Sequence, residues 1–266
     1  MDKYLFVEFK HGKVDPEAVI NSGANKLMIA AYTKDPDPNL VEKARSAGLT
    51  IGLCSGAYRE ECAANPKSRQ QIIRKIKHLV SLNPDEIWID RLRFHGRWET
   101  KGEKVIYQVH EACRFCKNLN RADLITDYFF LVRNLIPASI KLGFFAVPFM
   151  AEVHPEYRKK LGFDYRRILK SVDMISPMLY HRMIGQPVSC ISEYVQYLDG
   201  LGYRYIIPII QVKDMPDNLP DGYSVDELKR AYQEAIKPPS SGVAFFTWDH
   251  AQERGKDEIV VALLRS

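Results

Sequence analysis

The local sequence around Asp90 suggests a catalytic role for this residue. It lies inside the apolar segment IWIDRL (87–92), which is typical of a buried strand. A carboxylate placed there is costly unless it is paired or hydrogen-bonded. Two interpretations follow. Asp90 forms an ion pair with Arg91 or Arg93 that holds the fold together, or it is a catalytic carboxylate whose charge those arginines maintain.

Polar and aromatic side chains also follow the other apolar runs of the sequence. With Asp90 they form the set of candidate site residues: Glu8, Tyr32, Arg93, His95, Trp98, Glu152, Tyr180, His181, Gln211, Trp248 and Asp249. Sugars present C–H groups on their faces and hydroxyls at their edges. Aromatic rings can cover the faces, and acids, amides and arginine can bind the hydroxyls, so this mixture favours a carbohydrate ligand.

These residues need elements that bring them together, and the sequence alternates between two periodicities. Short β-branched and aromatic runs are each followed by a longer amphipathic stretch. The runs are Tyr4–Phe9, Lys26–Ala31, Thr50–Cys54, Glu86–Phe94, Lys141–Phe149, Met174–Tyr180, Tyr205–Val212 and Gly242–Trp248. Most are nearly continuous apolar segments, which indicates parallel strands covered on both faces.

The stretches between the runs carry helix signals. Asp15 followed by Pro16 predicts a helix start, and Ser224 with Glu227 fits a capping box. The long interval after the fourth run predicts two helices, Val105–Leu119 and Ala122–Ile136.

The alternation of strands and helices predicts an α/β fold, a single (β/α)8 TIM barrel that spans residues 1–266 as one catalytic domain. A doubly wound sheet is the rival fold, but the first turn lacks its G-x-G-x-x-G pattern. A parallel barrel has its active site at the carboxyl ends of its strands. The candidate site residues would therefore share one rim.

The segment DRLRF (90–94) resembles the D-x-x-R-F segment that ends the fourth strand in a group of glycoside-hydrolase-like (β/α)8 proteins. The segment SPMLY (176–180) is similar to S-P-M-x-Y on their sixth strand, and FFTW (245–248) fits their aromatic eighth strand. The resemblance implies a glycosidase with Asp90 in a catalytic role. The sequence departs from the group at His95 and His181, where proline is common, and this leaves the substrate class open.

Glycoside hydrolysis generally uses two carboxyl groups, one ionised as nucleophile or base and one protonated as acid. Asp90, next to arginines, suits the ionised role. Glu152, after the neighbouring fifth strand, is the preferred acid, and Glu8 and Asp249 are alternatives. Substrate-assisted hydrolysis of an N-acetyl sugar would need only one protein acid and stays open.

Two other classes of function compete with a glycosidase. The first is a metal-dependent hydrolase or isomerase, in which zinc or manganese would bind histidines and carboxylates that follow the strands. The candidate ligands are His11, His95, His154, His181, His250, Glu8, Glu152 and Asp249. The second is a non-catalytic barrel that binds glycans or a protein. We expect no cofactor and no metal at the site.

The cysteines do not predict a disulfide scaffold, because the chain has 5 of them in 266 residues. His110, Cys113 and Cys116 form an H-x2-C-x2-C motif in the predicted helix 105–119. They offer only three candidate ligands, whereas a structural zinc site needs four. Packing within a helix is therefore the preferred interpretation.

Composition and charge exclude several classes of protein. The chain is 46% hydrophobic and 27% charged, with a formal net charge of +5, which is typical of globular proteins. Its basic residues are spread over helices without a nucleic-acid-binding motif, so nucleic acid is not expected as a partner. No apolar run approaches the roughly 18 residues of a membrane span. No signal peptide is recognisable, so we expect a cytoplasmic protein, with a secreted form that has lost its signal as the alternative.

Overall fold

The computed structural model describes residues 1–8, 14–32, 34–58, 62–101, 104–148, 155–215 and 220–266, with only the backbone over 97–101 and 104–107. Eight parallel strands form the barrel: β1 Asp2–Val7, β2 Lys26–Ala30, β3 Thr50–Gly56, β4 Glu86–Asp90, β7 Lys141–Ala146, β8 Met174–Pro177, β9 Ile209–Gln211 and β10 Gly242–Phe246. An antiparallel hairpin, β5 Gly96–Lys101 and β6 Lys104–Val109, follows β4. Each of the eight barrel strands overlaps one of the eight runs identified in the sequence.

The sheet runs in the order β8-β7-β4-β3-β2-β1-β10-β9. Its two edge strands approach each other through parallel bridges between Ile175 and Ile206 and between Met178 and Ile209. The backbone N–H of Leu179 also donates to the carbonyl of Ile209 over 2.9 Å. The sheet therefore curves into a nearly closed barrel, and the predicted TIM-barrel fold is confirmed.

The barrel separates two hydrophobic cores. The larger lies between strands and helices, and the smaller fills the barrel interior around Tyr4, Phe6, Trp88 and Phe145. The indole of Trp88 fits inside because glycines face it from both neighbouring strands. A Cβ atom on Gly143 would lie 2.5 Å from the Trp88 ring, and one on Gly52 would lie 3.0 Å from it.

A buried ionic cluster fills the amino end of the barrel. Nζ of Lys26 lies 2.5 Å from Glu86 and 3.0 Å from Asp2. Tyr4 and Trp88 both donate hydrogen bonds to Glu86. Burial alone would lower the pKa of Lys26, but its bonds to Glu86 and Asp2 raise that pKa above its usual value. The charge of Lys26 is therefore balanced inside the barrel, at the end opposite the expected active site.

Helices surround the strands. They are α1 Pro16–Ile20, α2 Pro38–Ser46, α3 Pro66–Ser81, α4 Arg121–Leu135, α5 Pro155–Leu161, α6 Tyr165–Ile168, α7 Cys190–Gly200, α8 Val225–Ala235, α9 Trp248–Glu253 and α10 Asp257–Arg265. The predicted N-cap Asp15 and the capping box of Ser224 and Glu227 are both present. Over the part of the chain that the structure describes, no helix is long and apolar enough to cross a membrane.

The predicted helix Val105–Leu119 is wrong. Residues 104–109 form β6, and residues 114–118 form a turn. The segment VIYQV (105–109) contains β-branched and aromatic residues, which favour a strand when a partner strand is available. β5 supplies that partner, with Gly96 opposite Val109.

Candidate active site

The carboxyl ends of the eight strands form one rim, which we call the barrel mouth. Asp90 is the last residue of β4, Gln211 is the last residue of β9, and Glu8 directly follows β1. Side chains alternate between the two faces of a strand. Asp90 therefore points to the same side as Trp88, and Glu8 to the same side as Phe6, towards the barrel interior.

Both carboxylate oxygens of Asp90 have partners. The backbone N–H of Arg91 donates to Oδ1 over 2.7 Å, and the hydroxyl of Tyr32 donates to Oδ2 over 3.2 Å. Nη1 of Arg93 lies 3.5 Å from Oδ1, and its side chain is 9% exposed. Arg91 also approaches Asp90, but its side chain is 67% exposed, so water screens that pair more strongly. Arg93 is therefore the arginine that forms the buried ion pair with Asp90.

The backbone turns sharply directly after Asp90. Arg91 has a φ of +58°, in the left-handed region that costs a non-glycine residue roughly 1–2 kcal/mol. In this conformation its N–H points back to Oδ1 of Asp90. The turn thus orients the carboxylate at the end of β4.

A hydrogen-bond chain leads to Asp90 from β3 through Tyr32. Sγ of Cys54 lies 3.4 Å from the Tyr32 hydroxyl oxygen. Burial, followed by the carboxylate of Asp90, raises the pKa of the Cys54 thiol well above its usual value. Burial also raises the pKa of Tyr32 well above its usual value, with Cys54 and Asp90 as further causes. Both groups stay protonated, so Cys54 donates to Tyr32 and Tyr32 donates to Asp90.

Glu8 lies close to the same group. Its carboxylate contributes to the raised pKa of both Tyr32 and Cys54, as that of Asp90 does. Its backbone N–H donates to Oδ2 of Asp249 over 2.8 Å. Asp249 is buried in the first turn of α9, so it holds the end of β1 in position. Glu8 and Asp90 are thus two carboxylates on one side of the barrel mouth.

A second polar group follows β8 and β9. Nε of Arg182 lies 2.8 Å from Asp214, and its Nη1 lies 2.9 Å from Glu227. His181 is buried beside it, with its ring 5.7 Å from that of Tyr223. Burial lowers the pKa of His181, and the nearby Arg182 contributes to that shift.

The other predicted site residues lie in different surroundings. Tyr180 belongs to the interior core, with its ring 5.5 Å from that of Phe246. The amide of Gln211 is buried and donates to the carbonyl of Lys213 over 2.8 Å. Trp248 is buried in the core between strands and helices rather than in the barrel interior.

Three further predicted site residues come after β4 and β7 in the chain. His95 is exposed at the start of the hairpin. Trp98 lies on β5, where only the backbone is described. Glu152 falls within 149–154, outside the described residues. The catalytic and substrate-binding roles of the whole set stay predictions.

The metal-binding alternative receives no support at the barrel mouth from the residues that the structure describes. Within them, the one group of three or more possible ligands is Cys62, His110, Cys113 and Cys116. His11 and His154, two of the candidate mouth ligands, lie outside the described residues, as Glu152 does.

Cys54 is the one residue of the Asp90 hydrogen-bond chain that the sequence analysis did not select. Its place in the barrel could be inferred from the strand order, since β3 pairs with β4 in parallel and Cys54 lies opposite Trp88. A cysteine in a strand is usually a small apolar residue, so its type alone gave no reason to place it near Asp90.

Comparison with solved structures identifies the same fold in glycoside hydrolases. The glycoside hydrolase domain of PgaB (BpsB) from Bordetella bronchiseptica has a TM-score of 0.69 and 11% identity, covering 99% of each chain. The spore cortex-lytic enzyme SleL of Bacillus cereus has a TM-score of 0.62 and 10% identity, over 100% of this chain and 74% of that one. A variant of the glycoside hydrolase domain of PelA from Pseudomonas aeruginosa has a TM-score of 0.55 and 12% identity, over 93% of this chain and 96% of that one.

Sequence comparison adds nothing to this likeness, because no model of a known protein family and no curated protein matches the chain. At about one identical residue in ten, the likeness establishes the fold and not the reaction.

Proposed function

We propose that this protein is a glycoside hydrolase that cleaves a glycosidic bond in an oligo- or polysaccharide, with Asp90 as one of its two carboxyl groups. The observation that carries the proposal is the arrangement around Asp90. A carboxylate with hydrogen-bond partners on both oxygens stands at the carboxyl end of a barrel strand. Its barrel shares its fold with glycoside hydrolase domains.

Asp90 takes the ionised role in this proposal, as nucleophile or base. The buried guanidinium of Arg93 and the N–H of Arg91 both lie against its carboxylate oxygens. Tyr32 adds a donor that stays protonated because of burial. An ionised carboxylate held by fixed donors can stabilise the positive charge that develops on the sugar ring in the transition state.

The acid that protonates the leaving oxygen is Glu152 in the preferred form of the proposal. It follows β7, and β7 pairs with β4 in the barrel. Glu8 is the alternative acid, supported by its electrostatic effect on Tyr32 and Cys54. Of the predicted substrate-binding residues, Tyr32 and His95 keep exposed surface and would contact the sugar.

Hydrolysis by the purified protein tests the proposal. The protein is incubated with a panel of polysaccharides and aryl glycosides, and the release of reducing ends or aryl alcohol is measured. We expect turnover of at least one member of the panel. Glu152→Gln should lower that turnover at least ~100-fold, within the range for general acid–base groups, and Glu8→Gln should lower it less.

The pH profile and the leaving group distinguish the two candidate acids. Loss of the acid removes the alkaline limb of the pH–rate profile, and it harms aryl glycosides with good leaving groups less than natural sugars. If Glu8→Gln shows this pattern and Glu152→Gln does not, Glu8 is the acid. If glycans bind but are never cleaved, the protein is a glycan-binding barrel instead.

A further inference from the structure

A cluster of sulfur and nitrogen ligands lies away from Asp90, where two loops meet. Cys62 precedes α3, and His110 directly follows β6. Cys113 and Cys116 lie at the turn that leads to α4. The Sγ atoms of the three cysteines and a ring nitrogen of His110 all lie within 4.8 Å of one another. The fold therefore adds a fourth ligand, Cys62, to the three that the local sequence motif offers.

Two distances within the cluster match those around a tetrahedral ion. Ligand atoms about 2.1–2.3 Å from zinc at tetrahedral angles are about 3.4–3.8 Å apart. Sγ of Cys113 lies 3.8 Å from Sγ of Cys116, and Sγ of Cys116 lies 3.7 Å from Nε2 of His110. The same distances exclude a disulfide, since bonded sulfurs are about 2.05 Å apart, and all of these cysteines are free.

The groups behind the ligands are those that a zinc site needs. The backbone N–H of Cys113 points at Sγ of Cys116 over 3.4 Å, in the tight turn that a C-x2-C pair forms around a metal. The ring of Phe94 stacks on that of His110, with 6.4 Å between centroids, and fixes the imidazole. Partners of this kind orient the ligands and raise metal affinity.

Arg121 balances the charge of the cluster. Three thiolates, one neutral imidazole and one Zn²⁺ carry a net charge of −1. Nη2 of Arg121 lies 3.9 Å from Sγ of Cys116, and its Nη1 donates to the carbonyl of His110 over 3.0 Å. A fixed positive charge therefore stands beside the sulfur that would carry excess negative charge.

We propose that Cys62, His110, Cys113 and Cys116 bind one Zn²⁺ ion in a closed, structural site. Four protein ligands leave no open position for water or substrate, which distinguishes a structural zinc site from a catalytic one. Three sulfurs and one imidazole favour zinc over hard cations such as magnesium or calcium. Binding releases the thiol protons to solvent as the Zn–S bonds form.

The ion would cross-link the β5–β6 hairpin to the barrel. An isolated two-stranded hairpin is marginally stable in water. His110, Cys113 and Cys116 come directly after this hairpin, and Cys62 belongs to the loop between β3 and α3. Zinc therefore joins the base of the hairpin to the loop before α3, independently of the reaction proposed for Asp90.

Metal analysis of the untagged, full-length protein tests the proposal. We expect one zinc per chain by inductively coupled plasma mass spectrometry after purification under reducing conditions. After zinc is removed with a chelator, Co²⁺ should produce the thiolate charge-transfer and d–d absorption of a tetrahedral site. Zinc added afterwards should abolish that absorption. Trypsin should cut the apoprotein at the basic residues of the hairpin, and added zinc should protect them.

Cys113→Ala should lose the zinc and the cobalt absorption, whereas Cys190→Ala should keep both. Cys190 is a buried free cysteine on α7 and is not part of the cluster. If Cys113→Ala does not fold, the metal content and cobalt absorption of the unmodified protein decide the question. Protein without stoichiometric zinc and without tetrahedral cobalt absorption overturns the proposal, as does stoichiometric iron or a Cys113–Cys116 disulfide.

Discussion

The hydroxyl of Tyr32 donates to Oδ2 of Asp90 over 3.2 Å, although β3 separates their strands in the barrel. Cys54, on that intervening strand, lies 3.4 Å from the same hydroxyl. Three consecutive strands therefore fix one carboxylate at the barrel mouth. A carboxylate with an ion-pair role alone would need only Arg93, whereas this one is also held in a defined orientation.

We expect Tyr32→Phe to lower kcat/KM about 10-fold while the protein stays folded. The variant removes one hydrogen bond to a charged group, worth about 1.5 kcal/mol, and that corresponds to about tenfold in rate. The control is Tyr197→Phe, which loses a hydroxyl bonded to Arg158 away from the mouth and should keep full activity. Steady-state kinetics on a cleaved glycoside measure the effect. Equal activity in the two variants would show that Tyr32 does not position Asp90.

Glu86→Gln should destabilise the fold without changing turnover per folded molecule. It leaves Lys26 buried with Asp2 alone, and removing one partner of a buried pair costs about 3–5 kcal/mol. Urea unfolding measures the free energy. Glu17→Gln is the control, because the Glu17–Lys43 pair is exposed and should contribute little. If the two variants unfold alike, the ionic cluster does not stabilise the barrel.

His181 should make the protein less stable in mild acid. Its pKa is lowered in the fold by burial and by the positive charges of Arg182 and Arg230, and the carboxylates of Glu227 and Asp214 do not reverse this. The unfolded chain binds the proton more readily, so stability is fully present above about pH 6.5 and is lost as the pH falls towards the folded pKa.

The measurement for His181 is the free energy of unfolding at pH 7.5 and pH 5.5, for the unmodified protein and for His181→Gln. Carboxyl groups with lowered pKa values, such as Glu227, titrate below this window. We expect the loss of stability between the two pH values to be smaller in the variant. An identical loss in both proteins would mean that His181 does not titrate differently in the fold.

The barrel could be predicted from sequence because most of its strands are largely apolar on both faces. β2 and β4, for example, are almost entirely buried, so their apolar composition indicates that both faces are covered. Helix starts such as that of α8 were predictable for a similar reason, since the Ser224–Glu227 capping box is local. Asp90 also stood out, as a charge inside a buried strand.

The hairpin and the cysteine cluster could not be predicted because both depend on partners distant in the chain. Val105 favours a strand only when β5 lies beside it, and the long interval after the fourth run suggested a helix there instead. Cys62 lies 48 residues before His110 and has no sequence motif in common with it. The hydrogen-bond chain to Asp90 poses the same problem, since Tyr32 follows β2 and Cys54 lies on β3. The pairing of Asp90 with Arg91 and Arg93 is local, and the sequence predicted it.

Turnover by Asp90→Asn is the most direct test of the proposed reaction. Asparagine keeps the shape of the side chain and removes its charge, so we expect hydrolysis to fall at least ~100-fold with the protein still folded. The control is Asp173→Asn, which alters an aspartate paired with Arg133 at the amino end of the barrel and should keep its turnover. A folded Asp90→Asn protein that hydrolyses the same glycoside as fast as the unmodified protein would contradict a catalytic role for Asp90.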